Sequence, residues 1–394
     1  MRRDHSAVSP ARSGRILAVF LIDVYRPATL GLREKAESLV YAARDRGLAV
    51  DAAFPAGRSV ILWDHREPRP PWGTPPRHGG PESARAYRYW SVWGDLPDAS
   101  RAGYDVLWLR DMPPSPPQIA YLTRAHRRGV AILLDIPTYP FHKPSRAFDG
   151  IARALAAPFQ RLRARRLDRV ATISTHERIW GVPTLQVSNG IPWGLGRVAP
   201  TTPRGPRDGR EAIRCVGIAQ WARWHGLARL FRGVARAGLR DSFEFVLGGV
   251  GPESPRLLDL AASLDLRVRW CGPLYGEERT DLLRSGDVGI GTLSYPGDPP
   301  GHSDSLKHGL YAAHGLPFVA ADRDRIWASV AGVHAVSAQT PHVDAREVLR
   351  FALRARKLRQ PYGQSLRAAA AELTWDKTYA PVFDYLARLV VDRR

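Results

Sequence analysis

Cysteine is nearly absent. The 394 residues hold two, Cys215 and Cys271, and no metal-ligand spacing surrounds either. That excludes a disulfide-stapled secreted domain and a zinc ribbon, and predicts two reduced core residues in a cytosolic protein. Long apolar runs are missing too: none approaches the roughly 20 residues of a membrane span. The basic start MRRDHSAVSPARSG is followed by ILAVFLIDV, which is too short for a signal core and reads as a buried strand. A cytoplasmic protein, at most peripheral at the inner face of the membrane, is expected. Lysine is the third scarcity. Of 58 basic residues five are lysine and 53 arginine, against 38 acids, for a net charge of +20. Such an excess attracts anions: nucleotide sugars, anionic headgroups or nucleic acid. No recognition helix or RNA-binding signature accompanies it, so no specific nucleic-acid partner is expected.

What is present is enough hydrophobic content, 44%, to build full cores in two ordinary domains. The first half alternates strand and helix signals. ILAVFLIDV, GLAVDAAF, YDVLWLR, GVAILLDIP, RVATIS and TLQVSNG read as strands, and helices are predicted over 31–46, 116–128 and 151–167. Residues 64–100 are dense in Pro, Gly, Arg and Trp and read as a long irregular loop. VAPTTPRGPRDGR then reads as a linker, after which the alternation restarts with AIRCVGI. Helices are predicted over 226–238, 254–264, 277–285, 305–314, 344–358 and 375–392. Repeated strand–helix units imply parallel sheets covered by helices. The expected organisation is a basic tail (1–14), a first Rossmann-like domain (15–195), a linker (196–210), a second Rossmann-like domain (211–374) and a C-terminal helix (375–394) packing back on the first. Ligands of such an α/β protein bind in the cleft beyond the carboxyl ends of the strands.

The order of motifs resembles the GT-B glycosyltransferases, specifically the bacterial polysaccharide-type branch of glycosyltransferase family 4. The pieces are GLREK, YDVLWLR with LLDIPTYPF, ATISTHERIWGVPTLQVSNGI, CVGIAQWARWHGLARLFRGVARA, FVLGGVGPE with VRWCGPLYGEERTDLLRSGDVGIGTL, and LKHGLYAAHGLPFV, from about residue 15 to 390. The resemblance implies a nucleoside-diphosphate sugar as donor, transfer with retention, and neither cofactor nor metal, because helix amino ends and cationic side chains supply the positive field.

On the donor side, the resemblance implies that the Gly31 and Leu32 amides lie beside the diphosphate, with Arg223 as its cation and His225 as a further contact or a loop-orienting residue. Gly249 and Gly251 would leave room for base or ribose, and Leu274 would contact the base. The amides around Ser305 and Leu306 would hold phosphate at a helix start capped by the Ser-Asp-Ser cluster. Lys307 either adds charge there or is solvated. The family's two glutamates fall on His302 and Leu310, so the ribose contact is either lost or moved, with Asp304 nearby. Arg110, Asp135 and Arg223 are assigned to catalysis; the first two either orient the acceptor or sugar hydroxyls or form a buried ion pair. Tyr139 and His142 are placed on the acceptor side. The basic run of Arg161, Arg163, Arg165, Arg166 and Arg169 reads as a solvated face or as attraction to an anionic membrane or lipid-linked acceptor. The expected activity is transfer of a hexose, from a UDP-sugar by preference, to a polysaccharide, glycolipid or lipid-linked acceptor. The alternatives are a non-catalytic scaffold serving a partner enzyme, or transfer to a soluble small molecule. The sequence leaves the oligomeric state open.

Overall fold

A computed structural model describes residues 14–24, 29–56, 59–72, 92–136, 139, 147–192, 194, 212–296, 305–322, 324 and 326–391. His142, His302, Asp304, the expected linker and nearly all of the basic tail lie outside the described residues.

The first half forms one sheet from β1 (Arg15–Val19), β2 (Ala49–Ala56), β3 (Ser59–Trp63), β4 (Tyr104–Arg110), β5 (Ala131–Ile136), β6 (Arg169–Thr172), β7 (Arg178–Ile179) and β8 (Val182–Gln186). The strand order is β3-β2-β1-β4-β5-β6-β8-β7. It is parallel except for the two edge pairs, β2/β3 and β7/β8. The helices of this half are α1 (Leu30–Asp45), α2 (Val92–Asp95), α3 (Pro116–Arg127) and α4 (Ala147–Ala164). The second sheet is parallel throughout, in the order β11-β10-β9-β12-β13-β14. Its strands are β9 (Ile213–Ile218), β10 (Phe243–Gly248), β11 (Val268–Gly272), β12 (Val288–Ile290), β13 (Phe318–Ala321) and β14 (Val333–Val336). Its helices are α5 (Leu227–Arg236), α6 (Ser254–Ser263), α7 (Gly276–Ser285), α8 (Leu306–Ala313), α9 (Ala345–Lys357) and α10 (Arg359–Ala371). Cys215 on β9 and Cys271 on β11 are both free thiols.

In both sheets the order reverses beside the first strand, at β1/β4 and at β9/β12. Each reversal opens a crevice at the carboxyl ends of its strands, because the loops on either side leave in opposite directions. The chain then crosses back through α11 (Trp375–Thr378) to α12 (Ala380–Val391). Val382, Phe383, Leu386 and Val390 repeat at helical spacing and bury against the first sheet, where Phe383 meets Trp108 edge-on at 6.1 Å between ring centroids. Ile191 donates its N–H to the Leu373 carbonyl at 2.8 Å, so the two halves are also joined through backbone. Among the described residues, no helix is long and apolar enough to cross a membrane.

Candidate functional site

The two crevices face each other across a cavity of about 570 Å³. From the first half, Leu30, Gly31 and Leu32 line it at the start of α1, and Arg110 at the end of β4. From the second, Ile218 to Gln220 with Ala222, Trp224 and His225 line it after β9, and Ser305, Leu306 and Lys307 at the start of α8. Gly249, Val250 and Leu274 close the second-half wall.

Two helix amino ends therefore converge on one space. Neither α1 nor α8 has an acidic residue in its first turn, and neither cap residue, Thr29 or Ser305, makes a side-chain cap bond. The Ser-Asp-Ser expectation is corrected to that extent: Ser305 stands at the cap position, but its side chain does not close the helix. The first amides of both helices keep their donors and their positive partial charge, which is the physical basis of an anion site.

Lys307 is the strongest single feature. It is 6% exposed, its Nζ has no hydrogen-bond partner among the described residues, and it lies 5.3 Å from the Trp221 ring centroid. Burial lowers its pKa from 10.5 to about 7. The solvated alternative is thus excluded. The other cations at the cavity are engaged. Lys35 Nζ donates to Asn189 Oδ1 at 2.8 Å and sits over Trp375 and Tyr379. Arg279 of α7 donates to both oxygens of Glu34 of α1 at 2.6 Å, which bridges the two halves at the cavity wall. Arg110 lies 3.6 Å from the Asp135 carboxylate. Two of the chain's five lysines thus line one cavity, both buried.

Arg223 requires a correction. Residues Arg223–His225 form a single 3-10 turn that sends Trp224 and His225 to the cavity and Arg223 outward. Arg223 is exposed, does not line the cavity, and packs its guanidinium 5.5 Å from the Tyr295 ring. His225 is buried, and its Nδ1 accepts the Ala222 N–H at 3.0 Å. Burial, assisted by the Lys307 charge, pushes its pKa well below 6.5. With Nδ1 accepting, the neutral ring carries its proton on Nε2 and presents a donor.

Asp135 does not reach the cavity. It is fully buried, paired with Arg110, with the Tyr379 hydroxyl 3.4 Å from each of its oxygens. It can act on a ligand only through Arg110. Gly251 is also relocated: a Cβ there would overlap the Trp221 backbone, so the missing side chain serves loop packing, not base or ribose. Gly249 lines the cavity at φ +91, and a Cβ there would overlap the Ala219 carbonyl. Leu310 is 6% exposed; it lines the cavity and packs into the second core. Tyr139 packs against His176 and Trp180 and is not a lining residue. The basic run loses its continuity. Arg163 is buried on Asp111 at 2.7 Å, Arg166 donates to Thr123, and Arg169 stacks on Tyr385, which leaves Arg161 and Arg165 exposed.

His308 explains why α8 points as it does. Its Nδ1 meets Asp324 Oδ2 at 2.6 Å, and its Nε2 accepts the Thr292 N–H at 2.8 Å. Asp324 also accepts from the Ile326 and Trp327 amides. This fully buried clamp fixes the helix one residue beyond Lys307. Sequence reasoning missed it, along with the Glu34–Arg279 bridge and Lys35 as a wall residue. The lysine of the GLREK motif, which recurs after the glycine in the family it resembles, was the available signal for Lys35.

Comparison with solved structures places the fold among the GT-B glycosyltransferases. HepE from Anabaena, solved in complex with UDP and glucose, superposes with a TM-score of 0.59 at 12% identity, covering 95% of this chain and 99% of that one. WaaG, a glycosyltransferase involved in lipopolysaccharide biosynthesis, gives 0.59 at 12% identity, over 95% and 99%. AviGT4, a glycosyltransferase involved in avilamycin A biosynthesis, gives 0.53 at 15% identity, over 96% and 98%. No protein-family model matches the chain, and no curated protein matches it in sequence.

Proposed function

We propose that the chain is a glycosyltransferase whose donor is a nucleoside-diphosphate sugar, its diphosphate held between the amino ends of α1 and α8. The observation that carries this reading is Lys307, buried at the start of α8 with no hydrogen-bond partner among the described residues, in a cavity framed by the switch points of both sheets. As the anomeric bond breaks, negative charge builds on the leaving diphosphate. The open amides at Ser305 to Lys307, the Lys307 amine and the His225 Nε2–H would stabilise it. Arg110, held by Asp135, faces the same space from the first half and would orient the sugar or the acceptor hydroxyl.

UDP is the favoured carrier, supported by the HepE complexes with UDP and glucose and with UDP-glucose. Retention, independence of metal and membership of family 4 rest on the motif resemblance. A polysaccharide, glycolipid or lipid-linked acceptor, reached at the inner face of the membrane, is the favoured substrate class. The arginine run after residue 160 offers mainly Arg161 and Arg165 to such a surface, because its other three side chains are engaged within the fold.

Calorimetric titration of UDP, GDP and ADP tests the reading. At least one binds with a dissociation constant well below millimolar; if none does, the donor assignment fails. In the same assay Arg223→Ala changes affinity by less than about threefold, because an exposed arginine outside the cavity makes no charged hydrogen bond to lose. A loss of about tenfold or more would return Arg223 to the diphosphate.

A further inference from the structure

Lys307 is a buried cation whose charge nothing in the described residues balances. Among the described residues, the titratable groups near it are few. On α8 itself, His308 is engaged by Asp324. From the loop after β9, His225 is neutral and accepts a backbone N–H. Also lining the cavity are Lys35 and Glu34 of α1, Arg279 of α7 and Arg110 of β4. The one carboxylate among the described lining residues, Glu34, is held by Arg279. No side chain or carbonyl of the described residues accepts a hydrogen bond from the Lys307 Nζ.

We propose that a diphosphate entering the cavity draws a proton from solvent onto the Lys307 Nζ, so that donor binding is coupled to proton uptake. The inference rests on the donor reading above. The nitrogen lone pair takes the proton, and no bond of the donor changes. In the free protein, burial holds the pKa at about 7. A neighbouring dianion favours the charged form and moves it back up. By linkage, affinity then falls about tenfold from pH 6 to pH 8. Uptake is small at pH 6, where Lys307 already carries its proton, and approaches about one proton at pH 8, where it does not. His225 starts well below 6.5, so proton uptake by its ring belongs to the acid end of this range and not to pH 8.

The experiment is titration calorimetry with UDP-, GDP- and ADP-glucose, whose diphosphate diesters do not themselves titrate between pH 6 and 8. Each is run in buffers of different ionisation enthalpy. For the tightest binder, uptake close to one proton is expected at pH 8 and little at pH 6. Both the uptake and the fall in affinity are expected to disappear in Lys307→Met. Binding without uptake at pH 8, or uptake that persists in Lys307→Met, overturns this inference and leaves the donor reading standing. Failure of all three sugars to bind overturns both.

Discussion

Lys307→Met weakens binding of the nucleoside diphosphate by about 10- to 100-fold and at the same time raises the melting temperature at pH 6. The first effect is the loss of a charge-assisted hydrogen bond to the diphosphate, roughly 1.5–3 kcal/mol. The second follows from the cost of holding an unpartnered ammonium away from water. The folded-state pKa is about 7 against 10.5 for an ordinary lysine. Below pH 7 both states carry the proton, and the folded state bears the full cost of the buried charge. Between pH 7 and 10.5 the unfolded state binds more protons, so this cost shrinks as pH rises. Above 10.5 neither state is charged. The gain from methionine is therefore largest at pH 6, on the order of 3 kcal/mol, and fades toward pH 10. Thermal melts of both proteins at pH 6 and pH 9 check the sign. A variant that melts lower than wild type at pH 6 would mean that Lys307 is satisfied in the folded protein.

Gly249→Ala destabilises the second domain by more than about 3 kcal/mol or displaces the loop after β9 from the cavity wall. Two faults coincide at this position. The backbone is at φ +91, where an L side chain is strained, and the new Cβ would overlap the Ala219 carbonyl oxygen. That carbonyl cannot move freely, because the Ala219 N–H is bonded to the Gly248 carbonyl at 3.2 Å. Gly31→Ala is the contrasting case. A Cβ there meets nothing within 4 Å, and its φ is not positive. Its melting temperature stays at the wild-type value or rises slightly, because alanine costs the unfolded chain less entropy on folding. The pair separates a glycine needed for loop packing from one that leaves open space, a distinction that denaturant unfolding of the two variants reads directly.

Much of the fold was legible because strand and helix periods alternate with little interruption from ILAVFLIDV to PFVAA. Three kinds of element were not. The edge strand β3 is only five residues, SVILW, running antiparallel beside the Pro-rich stretch and so hidden by its neighbours. The strand β14, VHAV, is too short for a period to register. The helix α10 carries Pro361 and Gly363 near its start, which reads as a break although proline is tolerated in a first helical turn. At the site, motif order located both helix amino ends, since backbone amides follow from where a helix begins. Side-chain direction was another matter. In Trp-Ala-Arg-Trp-His-Gly a single 3-10 turn decides which residues face the cavity, and it turns Arg223 away. The place of Asp135 at a strand end allows either a cleft role or a buried ion pair, and the structure shows the ion pair with Arg110. The burial of Asp135 depends on Tyr379, which arrives from 244 residues later in the chain. Lys307 could be placed at the helix start, but its burial without a hydrogen-bond partner among the described residues follows only from the assembled fold.

The most direct measurement is a crystal structure of the chain grown with saturating UDP. The account predicts the diphosphate between the amino ends of α1 and α8, with phosphate oxygens within about 3.2 Å of the amides at residues 305–307 and of the Lys307 Nζ. A diphosphate seated on Arg223 or elsewhere, with the space in front of Lys307 left to solvent, would contradict it.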